Sequence, residues 1–130
     1  MEITRDEVIA RLAMLGYTAT EVDNEHLDYE ITFVVNYALN FCNVTELPEI
    51  VKPKMIDRIC SQFLLIKKNS GNLEGFNYDA AIKSIKEGDT QIQYAIDSGG
   101  DTPENRFDAM VRELKNTLDK WLVPYRRLRW

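Results

Sequence analysis

The sequence predicts a mainly α fold: a small four-helix bundle-like domain with one projecting β-hairpin and an extended basic C-terminal tail. Three observations lead there. Four stretches repeat apolar residues at helical spacing and carry recognisable start or stop residues. Residues 82–95 (IKSIKEGDTQIQYA) change to period two, through Ile92 and Tyr94 and, more weakly, Ile85 across a Glu87-Gly88-Asp89 turn. After Pro124 the chain ends on YRRLRW, which is both basic and aromatic.

The first helix opens with Thr4-Arg5-Asp6-Glu7, a capping box in which the Thr4 hydroxyl and the Glu7 carboxylate satisfy backbone donors. Val8, Ile9, Leu12 and Leu15 form its stripe, and Gly16 stops it in the left-handed conformation. The second helix starts near Asp23 or Asn24 and ends near Asn43. Its apolar residues Leu27, Ile31, Val34, Ala38 and Phe41, broadened by Val35, Leu39 and Cys42, form a stripe wide enough to predict burial on two sides. The second helix is therefore expected to be the central one.

Pro48 interrupts helical structure in the connector Thr45-Glu46-Leu47-Pro48-Glu49, and Pro53 stands where a first-turn proline is tolerated. The third helix buries Met55, Ile56, Ile59, Cys60, Phe63 and Leu64, then closes on Lys67 and Lys68 before Asn69-Ser70-Gly71. Residues 72–79 read as a loop anchored by Leu73 and Phe76, with Asp79 capping a helical turn before the hairpin. Asp97-Ser98-Gly99-Gly100-Asp101 is a second loop by composition. Thr102 then caps the fourth helix, with Pro103 first and Glu104 at its positive end. Phe107, Met110, Val111, Leu114, Leu118, Trp121 and Leu122 form its apolar face.

With 130 residues the chain is expected to be one domain, residues 1–130. No apolar run approaches the roughly 20 residues of a membrane span. Charges within the first 20 residues argue against a secretory core, so a cytoplasmic setting is the default. Up to Glu30 there are eight acids against Arg5 and Arg11, whereas residues 125–130 hold Arg126, Arg127 and Arg129 and no acidic side chain. A net charge of −5 argues against general nucleic-acid binding, and the separated charges suit contacts between copies or with a charged partner.

Chemistry is sparse. Cys42 and Cys60 read as buried reduced thiols, although spacing alone leaves a disulfide open. One histidine, His26, and no Cys-x-x-Cys give no zinc or haem site; no metal or other cofactor is expected. Gly99-Gly100 lacks the strand and lysine of a phosphate loop. The acidic pairs Glu46/Glu49 and Asp97/Asp101 read as solvated charge, and His26 as a surface residue. Catalysis is not expected.

An isolated two-stranded hairpin is marginal in water and needs a helix or another chain to lean on. The tail has the composition of a docking peptide, guanidinium groups for carboxylates and rings for pockets. The order of LPEIVKPKMIDRICSQFL, SIKEGDTQIQYA, TPENRFDAMVRELK and YRRLRW resembles the head-tail connector (adaptor) proteins of tailed bacteriophages and prophages of Gram-positive bacteria. The resemblance spans residues 45–130; before that it holds only in general pattern. It implies a structural virion protein in the neck, assembled in the host cytoplasm. Copies would form a ring, twelvefold like the portal, that extends the DNA channel and receives the next connector or the tail protein. Genomic DNA would pass without sequence-specific binding, and a carboxylate-lined lumen would repel its phosphates.

By position, the resemblance implies oligomer or portal contacts at Lys83, Ile85, Lys86, Asp89, Gln91, Ile92, Tyr94, Tyr125, Arg126, Arg127, Leu128, Arg129 and Trp130. The alternative is a small helical DNA-binding regulator or packaging subunit, with the second and third helices as a helix-turn-helix. Lys52, Lys54 and Arg58 are thin equipment for a recognition helix, and the connector is long for that motif.

Overall fold

The computed structural model describes residues 1–71 and 102–127. Four long helices are found there: α1 (Arg5–Met14), α2 (Asn24–Cys42), α3 (Lys52–Asn69) and α4 (Pro103–Leu122). Short 3-10 turns, Glu21–Asp23, Glu49–Val51 and Val123–Tyr125, precede α2, precede α3 and follow α4. Among the described residues there is no strand. The hairpin expected over residues 82–95, with Lys83, Ile85, Lys86, Asp89, Gln91, Ile92 and Tyr94, lies outside them.

Local signals set the helix ends. Thr4 Oγ1 accepts from the Glu7 amide at 3.3 Å, and Glu7 Oε1 accepts from the Thr4 amide at 3.1 Å, completing the capping box. α1 ends in a Schellman motif: the Tyr17 amide reaches Leu12 O at 2.9 Å and the Gly16 amide reaches Ala13 O at 3.1 Å. Gly16 sits at φ 91°, where a Cβ would be strained. Asn43 plays the same part after α2 at φ 54°, with the Val44 amide on Leu39 O at 3.2 Å. Thr102 caps α4 by accepting from the Asn105 amide at 3.1 Å.

The hub is α3, not α2 as the stripe width predicts. α3 packs against α1, α2 and α4, most extensively against α4, whereas α2 and α4 touch little. Buried side chains surround α3: Met55, Ile59, Cys60, Phe63 and Leu64, but also Asp57 and Ser61. The apolar stripe of α2 is narrower than it looks. Leu27, Val34, Ala38 and Cys42 are buried, while Ile31, Val35, Leu39 and Phe41 only lean on the core. Trp121 is 42% exposed, with Lys54 Nζ 5.3 Å from its ring centroid, so it lies at the rim of the α4 face.

Ion pairs give the helix directions. Lys67 of α3 meets Asp23 beside the start of α2 at 2.6 Å, and Lys68 meets Glu104 at 3.1 Å and Asp108 near the start of α4. At the other end Arg58 donates to Lys115 O at 2.7 Å. α3 is thus antiparallel to both α2 and α4. α1 is held on α3 by Glu7–Lys52 and Arg11–Asp57, each 2.8 Å, and on α2 by a two-pronged Arg5–Asp28 pair.

The buried Asp23 carboxylate takes Lys67, the Thr20 amide at 3.1 Å and the Tyr17 hydroxyl at 2.9 Å. Burial alone would raise its pKa, but these partners outweigh it and hold the group below the usual aspartate value. Because the folded value lies below the unfolded one, Asp23 stabilises the fold above the ordinary aspartate range. That contribution disappears as pH falls below about 4. Asp23→Asn is therefore expected to be less stable than the parent at pH 7, with the gap narrowing in urea melts as pH is taken below the ordinary aspartate range. An equal gap at pH 7 and below that range would refute the assignment.

Candidate functional site

Of the tail residues expected to make contacts, Tyr125, Arg126 and Arg127 are described, and Leu128, Arg129 and Trp130 lie outside the described residues. The 3-10 turn containing Pro124 redirects the chain, and Arg126 leaves it in extended conformation. The segment then lies across the C-terminal end of α2. Arg126 Nε donates to Phe41 O at 3.1 Å, and the Arg127 amide donates to Cys42 O at 2.8 Å. These carbonyls belong to the last turn of α2, where helical partners run out and the dipole is negative, so a cation and an amide both suit the place. The Arg126 guanidinium also covers the Phe41 ring at 4.8 Å. Tyr125 packs partly against the core.

Beside this segment is an open cleft of about 750 Å³, lined by Met1, Asn43 to Glu49, Tyr125 and Arg127. Glu46 and Glu49 stand at its edge, exposed, facing the Met1 ammonium at 3.4 and 3.9 Å. A second groove of about 640 Å³ runs between α1 and α3, floored by Ala10, Met14, Pro53 and Ile56 and bordered by Glu7–Lys52 and Arg11–Asp57.

Four aromatic residues follow one another at four-residue spacing along α2: Tyr29, Phe33, Tyr37 and Phe41. They form two stacked pairs, Tyr29/Phe33 with centroids 6.2 Å apart and Tyr37/Phe41 at 6.0 Å. Arg58 covers Tyr37 at 5.1 Å, as Arg126 covers Phe41, and the Tyr37 hydroxyl donates to Asp119 at 2.8 Å. The spacing is visible in the sequence, but the apolar periodicity that marks the core gives no reason to single it out.

His26 is not simply a surface residue. Its ring packs on Phe63 at 4.7 Å, and Nε2 lies 3.3 Å from Oε1 of the buried Glu30. Cys42 and Cys60 are both free and buried. Burial pushes the Cys60 thiol up to about 12, with nearby Asp57 adding to the effect, and burial also raises Cys42. Neither is a thiolate nucleophile near neutrality. Among the described residues, no three His, Cys, Asp or Glu side chains are grouped to hold a metal ion. No helix among them is long and apolar enough to cross a membrane.

The helix-turn-helix arrangement meets a physical obstacle. α3, its recognition helix, is enclosed by three others, and its cations are engaged within the chain: Lys52 with Glu7, Lys54 on Trp121, and Arg58 with Lys115 O and Tyr37. A recognition helix must offer such groups to a groove. No family model, curated protein or solved structure matches this chain.

Proposed function

We propose that this chain is a head-tail connector of a tailed bacteriophage or prophage, assembling as a ring beneath the portal and linking head to tail. The observation that carries the reading is the order of four segments, of which the second is the hairpin-like SIKEGDTQIQYA and the last the basic aromatic YRRLRW. Charge separation supports it: eight acids precede residue 31, and three arginines fall in the last six residues. In this reading the hairpin edge, from Lys83 to Tyr94, and the tail, from Tyr125 to Trp130, contact neighbouring copies and portal. The acidic remainder suits a channel through which DNA slides.

The position of the tail shapes the test. Tyr125, Arg126 and Arg127 are tied to the core and to the end of α2, so removing them would confound folding with docking. A variant lacking only residues 128–130 separates the two. It is expected to lose attachment to portal by about 30-fold or more, the effect of roughly 2 kcal/mol from one anchoring Trp or Arg. Replacing Arg127 and Arg129 with Gln, which keeps the Arg126 bond to Phe41 O and the Arg127 amide bond to Cys42 O, is expected to weaken attachment and flatten its salt dependence. Thermal melts run alongside, and a fall of many degrees on truncation would make the tail a core element. Negative-stain images of portal mixed with the intact protein, with no added ring at any concentration, would sink the reading.

A further inference from the structure

The two aromatic pairs on α2 have the same local geometry and different surroundings. In the Tyr37/Phe41 pair each ring carries an arginine near 5 Å: Arg58 at 5.1 Å and Arg126 at 4.8 Å. The Tyr29/Phe33 pair is exposed, at 64% and 46%, and among the described residues no cation stacks on it. Two large stacked rings open to water on one helix face are costly to leave uncovered and offer a negative π face.

Charge says what would cover them. α2 carries Glu25, Asp28 and Glu30 and no lysine or arginine. Glu25 is exposed and lies one turn before Tyr29, on the same ridge. Arg5 reaches this end of the helix, but its guanidinium is taken by Asp28 through bonds of 2.9 and 2.5 Å. The site therefore offers stacked rings and an acidic residue to a cation from outside the chain. A planar guanidinium satisfies both, since it can lie on a ring and still donate to a carboxylate at its edge.

We infer that Tyr29, Phe33 and Glu25 form a docking site for an arginine side chain on an extended segment of another polypeptide. The site reproduces between molecules the stacking that Arg126 and Phe41 make within one, and it does not depend on the connector reading. The probe is the synthetic hexapeptide YRRLRW, titrated at low salt against the full chain with amide and aromatic resonances followed by NMR. A counterpart peptide carries citrulline, which is planar but uncharged, at each arginine.

The arginine peptide is expected to bind saturably at millimolar concentration, moving the Tyr29 and Phe33 signals most. Affinity is expected to drop about tenfold in the Tyr29→Ser/Phe33→Ser double variant, whose side chains are exposed. Tyr29→Phe, which keeps the ring face, should retain binding, and Glu25→Gln should weaken it and its salt dependence. The citrulline peptide should bind far less. Equal binding of both peptides would overturn the proposal. So would signals that move only at Tyr37 and Phe41, which would mean exchange with the chain's own tail, or no binding at millimolar peptide.

Discussion

Phe63→Ala is expected to destabilise the protein by about 3–5 kcal/mol, a large part of the 5–15 kcal/mol typical of a whole domain. Phe63 is fully buried on α3 and joins segments far apart in the chain. The Tyr17 ring meets it edge-on at 5.4 Å, His26 packs at 4.7 Å, and Lys67 Nζ lies 5.6 Å from its centroid. Truncation would leave a cavity and loosen the setting of Lys67, whose partner Asp23 joins the approach to α2 to the end of α3. Phe63→Leu, which keeps most of the volume, should cost well under half as much. Urea unfolding followed by tryptophan fluorescence and circular dichroism would measure both. A cost below about 1.5 kcal/mol for the alanine variant would mean that this end of the bundle is not packed as described.

The second large effect has the opposite sign. Glu30 is buried at 2% exposure, and its Oε2 has no hydrogen-bond partner among the described residues. Among the described residues, Oε1 is met by His26 alone, which is itself half-buried. A carboxyl group in that position gives up hydration on both oxygens and recovers little of it. Glu30→Met, with a similar side-chain volume, is expected to stabilise the fold by about 1–4 kcal/mol and raise the melting temperature by several degrees. His26→Ala should cost less in that background than in the parent, because it no longer strips the carboxyl group of its one partner. If Glu30→Met instead lowers the melting temperature, the carboxyl group contributes to the fold, and what it gains there outweighs the lost hydration of its orphaned oxygen.

What could be foreseen from the sequence follows the range of the forces involved. Thr4, Gly16, Pro53 and Thr102 act on the backbone within a few residues, so the helix boundaries they set are legible in one dimension. The choice of hub is not. Asp57, Arg58 and Ser61 look like a solvent-facing side of α3, yet they are enclosed because Arg11, Lys115 O and Arg58 O receive them. Two of those partners come from other helices, and spacing along α3 carries no trace of them. Conversely, Ile31, Val35, Leu39 and Phe41, which make the α2 stripe look wide, supply apolar surface that the neighbouring helices do not fully cover. His26 reads as a surface residue for a related reason: its partner Phe63 is 37 positions away, beyond any local pattern.

The central place of α3 also governs how the molecule opens. α1, α2 and α4 each bury their principal face against α3, so one of them can detach while the others keep it covered. Its own amides, from Ile59 to Leu64, become accessible only when several neighbours leave together. Deuterium should therefore enter the ends of α1 and the first turns of α4 through small openings, well before it reaches the middle of α3. There the rate of exchange would report the free energy of unfolding the whole.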